Sequence, residues 1–79
     1  MRQKGRTDAD THALEQLRNK ADHSVRLQGL EYYNSHVATA SKHVKEVAIL
    51  LGDGNAEVRS FVRSVLTKER AYKNPNGAS

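Results

Sequence analysis

The apolar positions of this chain fall into two helical stripes that do not share a face. From Leu30 onward they run Leu30, Tyr33, Val37, Ala40, Val44, Val47 and Leu51 in alternating steps of three and four. That is the a/d seam of a coiled coil carried through three heptads. Upstream, Leu14, Leu17, Ala21 and Val25 form a second stripe. At about 100° per residue it lies roughly 120° around the helix from the first. One continuous helix of about 60 Å could meet different partners along its length. Alternatively the chain could bend or break between Asp22 and Gly29, where Asp22, Ser24 and Gly29 are all poor helix-interior residues. The pattern favours one long helix over about 10–51, kinked at most.

The ends of the elements are marked by turn and capping residues. Thr7, Asp8 and Asp10 are N-cap candidates whose acids suit the positive end of a helix dipole. Gly52-Asp53-Gly54-Asn55 is a cluster of turn formers, and Gly52 is expected to end the long helix in a left-handed conformation. Asn55 can cap a second helix over about 56–72, with Glu57 in its first turn and Val58, Phe61, Val62 and Val65 on its apolar face. Leu66 and Tyr72 lie at the margin of that face. Lys68, Arg70 and Lys73 occupy its last turns, where cations are favoured. Asn74-Pro75-Asn76-Gly77 ends the ordered chain and leaves 74–79 as a disordered tail. No internal repeat or low-complexity tract is visible. The short connection predicts an antiparallel helical hairpin.

The stretch Val47-Ala48-Ile49-Leu50-Leu51-Gly52-Asp53-Gly54-Asn55-Ala56-Glu57-Val58-Arg59 resembles the turn of a HEAT repeat. In that family an apolar helix end is followed by Asp, a few turn residues, and Val-Arg opening the next helix. The resemblance implies a helical hairpin centred on Gly52–Asn55. Repeats of that kind need several copies to bury a core, and one is visible.

Composition adds the expectation of a partner. Among 79 residues, Leu, Ile, Val and Phe number 16, there is no Trp, and Phe61 is the only Phe. A chain this short buries a small fraction of its surface. Without cysteine it has neither disulfides nor thiolate metal sites to add stability. The expected fold is therefore all-α: a hairpin of one long and one short helix, completed by oligomerisation into a helical bundle. Its interface would use Leu30, Tyr33, Val37, Ala40, Val44, Val47 and Leu51. Tyr32 falls near the upstream stripe, as does Leu50; this second face is either a further contact surface or one that the second helix covers within the chain. No apolar run approaches the ~20 residues needed to span a bilayer. No hydrophobic stretch follows the basic start, so the expected location is cytoplasmic.

Charge is placed unevenly. The formal net charge is +4, with Arg2, Lys4 and Arg6 in an expected flexible arm over 1–6. From Arg59 onward five cations stand against Glu69 alone. Arg59, Arg63 and Arg70 fall within roughly 40° of each other on a helix, beside its apolar face. Such a stripe can follow a nucleic-acid backbone, with the arm adding charge. The reactive side chains show no such grouping. His36 and His43 are seven apart, about 10 Å along a helix and too far for one metal ion. His12 and His23 have no carboxylate set beside them. Asp8/Asp10 and Asp53/Glu57 sit where helix starts explain them, and Gly52-Asp53-Gly54 lacks the Gly-Lys-Ser/Thr of a phosphate loop. The sequence therefore reads as a non-enzymatic assembly or interaction protein without cofactor or metal, a homo-oligomer or complex subunit. The alternative reading is a small basic DNA- or RNA-binding protein.

Overall fold

The computed structural model describes residues 5–74, with side chains from residue 9 onward. Arg2 and Lys4 of the expected basic arm lie outside the described residues, as does the tail beyond Asn74; the Arg6 side chain is likewise outside them. The described chain is all-helical: α1 (Gly5–Leu17), α2 (His23–Ser35), α3 (Val37–Lys42), α4 (Val44–Ile49), a 3-10 turn (Leu50–Gly52) and α5 (Ala56–Lys73). No described helix is long and apolar enough to cross a membrane.

The single long helix expected over 10–51 is not formed; four helices occupy that span. The first break falls at Arg18–Asp22, just upstream of the expected weak point. There the Asn19 Oδ1 accepts the N–H groups of Ala21 and Asp22 at 3.0 and 2.8 Å, folding the chain into a tight turn. Asp22 then caps α2 by accepting the Ser24 N–H at 2.9 Å. Gly29, expected to weaken the helix, sits inside α2 because α1 crosses there: a Cβ on it would stand 2.8 Å from the Ala13 carbonyl oxygen.

Two further corners fall at His36 and His43, both with non-helical backbone (φ −129°, ψ 67° and φ −116°, ψ 32°). Residues 32–44 are almost all weak helix formers, with β-branched Val37, Thr39 and Val44 among Tyr, Asn, Ser and His. Tertiary contacts therefore decide the path. The His36 ring stacks on Tyr32 at 4.0 Å and its Nδ1 lies 2.8 Å from the Tyr32 carbonyl oxygen. The His43 ring lies parallel to that of Tyr33 at 6.2 Å.

The helices form two hairpins. In the first, α1 packs on α2; in the second, α3, α4 and the 3-10 turn pack on α5. The hairpins stack, α2 against α5 and α1 touching α4. Their turns meet at one end of the molecule, where Arg26 at the start of α2 reaches Asp53 in the second turn. The core between them holds Ala13, Leu17, Leu30, Tyr33, Ala40, Val47, Leu50, Val58, Val62 and Val65.

The two hairpins repeat one local design, against the reading that the chain has no internal repeat. At a constant offset of roughly 33 positions, within the range of two-helix repeats, Leu17 corresponds to Leu50, Asp22 to Asn55, and Val25-Arg26 to Val58-Arg59. Leu17 and Leu50 are both buried. Asp22 and Asn55 both cap their helices, Asp22 accepting the Ser24 N–H two residues on at 2.9 Å and Asn55 the Val58 N–H three residues on at 3.0 Å. Arg26 donates through Nη1 to the Asn19 carbonyl at 2.8 Å, and Arg59 donates through Nη1 to the Asp53 carbonyl at 2.6 Å. Each arginine thus folds back to tie the turn before its own helix. The turns from Leu17 to Asp22 and from Leu50 to Asn55 are equally long, but Arg26 holds a carbonyl seven residues back and Arg59 one six residues back.

Gly52 departs from expectation. No described glycine has positive φ. The helix ends instead through the 3-10 turn, with the Asp53 N–H donating to the Leu50 carbonyl at 3.0 Å and Asp53 extended at φ −61°, ψ 148°. The N-cap candidates of the first helix also fall elsewhere. The helix starts at Gly5, and the Asp10 carboxylate accepts the Tyr32 hydroxyl and, at 3.5 Å, that of Thr39.

Candidate functional site

Of the seven residues expected at an interface between copies, Leu30, Tyr33, Ala40 and Val47 are buried by the chain itself, each 1 % exposed or less. Val37 and Val44 are half-buried and Leu51 is exposed. The corners at His36 and His43 curl the seam onto α5, so most of its area is spent inside one chain. The half-buried Tyr32 donates its hydroxyl to the Asp10 carboxylate of α1.

Tyr33 illustrates the cost of that burial. Its hydroxyl is buried with no hydrogen-bond partner among the described residues. Burial first, then the nearby charges of Asp10 and Glu46, push its pKa up to about 12.

The two turns are locked together by an ion pair between Arg26 and Asp53, the latter a residue for which helix capping is the expected role. Arg26 Nε lies 2.7 Å from Asp53 Oδ1, and Nη2 donates to Oδ2 at 3.1 Å; the side chains are only 13 % and 7 % exposed. Asp53 also accepts the Asn55 N–H at 2.8 Å. Burial alone would raise the Asp53 pKa. The Asn55 N–H, the Arg26 fork and the Arg59 charge outweigh it and hold the carboxyl below its ordinary value. A second, exposed pair joins Arg18 of the α1 end to Glu46 of α4 at 2.9 Å. These turns flank an open groove of about 460 Å³ that includes Leu17, Lys20 and Ile49 among its lining.

Asp53 thus links the two hairpins, and Glu57 is exposed in the first turn of α5. His12 and His23 are exposed, His36 and His43 make the corners, and no group of three or more His, Cys, Asp or Glu is arranged around a metal position among the described residues.

The cationic stripe survives folding. α5 is capped by Asn55 and buries Val58, Val62, Val65 and Glu69, whose Oε2 is held by Lys73 at 3.1 Å. With that face inward, Arg59, Arg63 and Arg70 line one flank, and Ser60, Ser64 and Thr67 point outward beside them. Arg63 and Arg70 are exposed, whereas Arg59 is half-buried against the second turn. Ser60, Arg63, Ser64, Thr67 and Lys68 line a shallow depression on this outer surface. Thr67 spends its hydroxyl on the Arg63 carbonyl at 2.8 Å. Among the described residues no ion pair takes Arg59, Arg63 or Arg70. Arg26 is the residue that sequence reasoning missed. Its signal was the Val-Arg dipeptide occurring twice, before Leu27 and before Ser60.

Comparison with protein-family models, curated proteins and solved structures finds no match for this chain.

Proposed function

We propose that this protein is a non-enzymatic binding module that offers the outer face of α5 to the phosphate backbone of a nucleic acid in the cytoplasm. One observation carries the reading: the face that the hairpin stack leaves uncovered on α5 presents arginines and hydroxyls and no large apolar side chain. Protein interfaces have apolar or aromatic anchors at their centre. Backbone binding to a nucleic acid needs charge and hydrogen-bond donors alone. Arg59 and Arg63 stand one helical turn apart, about 6 Å along the axis, a separation that suits successive phosphates.

The test is a fluorescence-anisotropy titration with duplex DNA, single-stranded DNA and RNA at several salt concentrations. Arg63→Gln with Arg70→Gln should weaken binding to all sequences alike. It should make the slope of log affinity against log salt less negative by roughly 0.9 per lost phosphate contact on duplex DNA, with helicity unchanged. No binding by the wild type at low salt removes the reading.

A second reading, assembly with copies of itself or with another protein, is favoured by a different surface. Ile49 is 70 % exposed and Leu51 42 % exposed beside the groove between the turns, and Tyr72 is 51 % exposed. Sedimentation of the wild type against Ile49→Asp tests it, since a monomer at all concentrations leaves that surface without a self-contact.

A further inference from the structure

We infer that Arg59 is a preformed anion clamp, a guanidinium fork held open for the oxygens of one backbone phosphate of a nucleic acid. The inference rests on the polyanion reading above and adds the contact through which it would act. Its ground is the internal repeat, because the first hairpin shows the same device with its ligand in place. Arg26 uses Nη1 to hold the Asn19 carbonyl of its own turn, and turns its remaining edge to the Asp53 carboxylate of the next hairpin. Arg59 uses Nη1 to hold the Asp53 carbonyl of its own turn. The corresponding edge, Nε and Nη2, meets no acid among the described residues. The bond through Nη1 fixes the plane and direction of the guanidinium before any ligand arrives. An arginine so oriented loses little rotamer freedom on binding, and its fork matches the two oxygens of a carboxylate or a phosphate.

The surroundings of Arg59 favour phosphate. On α2 the side turned toward α5 carries Arg26, Leu27, Leu30 and Asn34; Arg26 reaches Asp53 and the Asn34 carbonyl takes Lys68. The repeat puts Ser60, Arg63 and Thr67 of α5 where α2 has Leu27, Leu30 and Asn34, and Arg70 where Val37 follows. Where the first hairpin presents leucine to its neighbour, the second presents serine and arginine. A third hairpin packing there would bury Arg63 unpaired, at a large desolvation cost. A second copy stacked head to tail fits no better. At the same offset the counterpart of Asp53 in its first turn is Lys20, a cation, and Asn19, whose carbonyl accepts from Arg26, has its Oδ1 committed to Ala21 and Asp22. An extended polyanion meets the fork and the two exposed arginines together.

The test separates the fork from the charge. In the wild-type protein, the Arg59 Nε–H resonance is followed by NMR during titration with inorganic phosphate and with a short duplex DNA. Arg59 is expected to shift in both, and Arg26, whose edge is filled, is expected not to. Arg59→Lys keeps the charge and loses the fork, so duplex affinity should fall roughly tenfold while the salt slope stays as in the wild type. The charge-conserving Lys45→Arg, at an exposed position of α4 away from the stripe, should change neither. An Arg59→Lys protein that is folded and binds duplex as the wild type does overturns the clamp, as does a wild-type Arg59 resonance indifferent to phosphate. If phosphate shifts Arg59 but no nucleic acid binds, the backbone proposal fails at its ligand while the fork stands. A poly-glutamate peptide that competes with duplex at equal affinity overturns the choice of nucleic acid in favour of an acidic protein.

Discussion

Replacing Asp53 by alanine removes the buried carboxylate that ties Arg26 of the first hairpin to the turn of the second. Arg26 would keep its charge at a position where its side chain is 13 % exposed, with only the Asn19 carbonyl left to hold it. Breaking a buried ion pair by removing one partner costs about 3–5 kcal/mol, mostly through the charge left behind. Loss of the Asn55 N–H bond adds about 0.5–1.5 kcal/mol. Domains of ordinary size have only about 5–15 kcal/mol in total, and a chain this small stands at the low end. Asp53→Ala should therefore remove most of the stability, and lower Tm by at least ~12 °C at ~4 °C per kcal/mol. Urea unfolding followed by circular dichroism at 222 nm measures it. The carboxyl has a depressed pKa in the folded state. Its contribution is thus complete above the unfolded value near ~3.9 and is lost as pH falls through the lower folded value. The wild-type acid limb should be steeper than that of the variant. Replacing the pair together, Arg26→Met with Asp53→Leu, should cost less than Asp53→Ala alone, because no charge is stranded. A loss below ~1 kcal/mol for Asp53→Ala, or a double variant less stable than the single, would refute the reasoning.

Gly29→Ala should lower Tm, because the new Cβ meets the Ala13 carbonyl at 2.8 Å and the overpacking, ~1–3 kcal/mol, outweighs the ~1 kcal/mol of helix propensity gained. Gly52→Ala should be neutral or stabilising by about 0.4–1 kcal/mol: its φ is not positive and a Cβ there meets nothing within 4 Å. A lower melting midpoint for Gly52→Ala would show that a left-handed residue ends the helix after all. Tyr33→Phe removes a buried hydroxyl that has no partner, so thermal melts should show unchanged or higher stability.

The strong periodic signals were legible and the weak ones were not. α5 could be read from its cap, its apolar face and its terminal cations, and it spans Ala56–Lys73. The course of residues 10–51 could not, because a 3-4 step pattern reports which side chains share a face only while the helix stays straight. Two corners at His36 and His43, seven residues apart, leave the spacing of Leu30, Tyr33, Val37, Ala40, Val44 and Val47 untouched while turning the axis each time. Propensity was the better guide there, since the stretch from Tyr32 to Val44 has few good helix formers. The repeat is faint in the sequence because few residues are identical at its offset, Leu17/Leu50, Val25/Val58, Arg26/Arg59 and Ala38/Ala71. The stripe Arg59, Arg63 and Arg70 was visible because an undistorted helix carries it. That Arg59 would be oriented by its own turn, and Arg26 filled by Asp53, depends on hydrogen bonds between residues that no periodicity connects.

The expectation that so small a core needs a second chain rests on a count of apolar residues, and the fold shows how much of that surface one chain buries by itself. A straight helix of about 60 Å could cover only part of its seam with an 18-residue partner helix such as α5, and would expose the remainder. Bent into shorter pieces, the same residues supply their own partners. α1 covers one side of α2, α5 covers another, and α3 and α4 close on α5. Burial of Leu30, Tyr33, Ala40 and Val47 then leaves the chain with two kinds of surface to offer: the exposed Ile49 and Leu51 beside the turns, and the arginine flank of α5. The second is the side of the described stack that carries serine and arginine in place of leucine. Each hairpin of a stacked array needs a neighbour for its apolar side, and terminal units end the array by making that side polar. In α5 the substitution goes past neutrality to arginine, at the two positions where α2 has Leu30 and where Val37 follows. Capping for solubility alone needs polarity of either sign. Three like charges along one flank, about 40° wide, repel one another in the absence of an anion, and an anionic partner relieves that repulsion on contact.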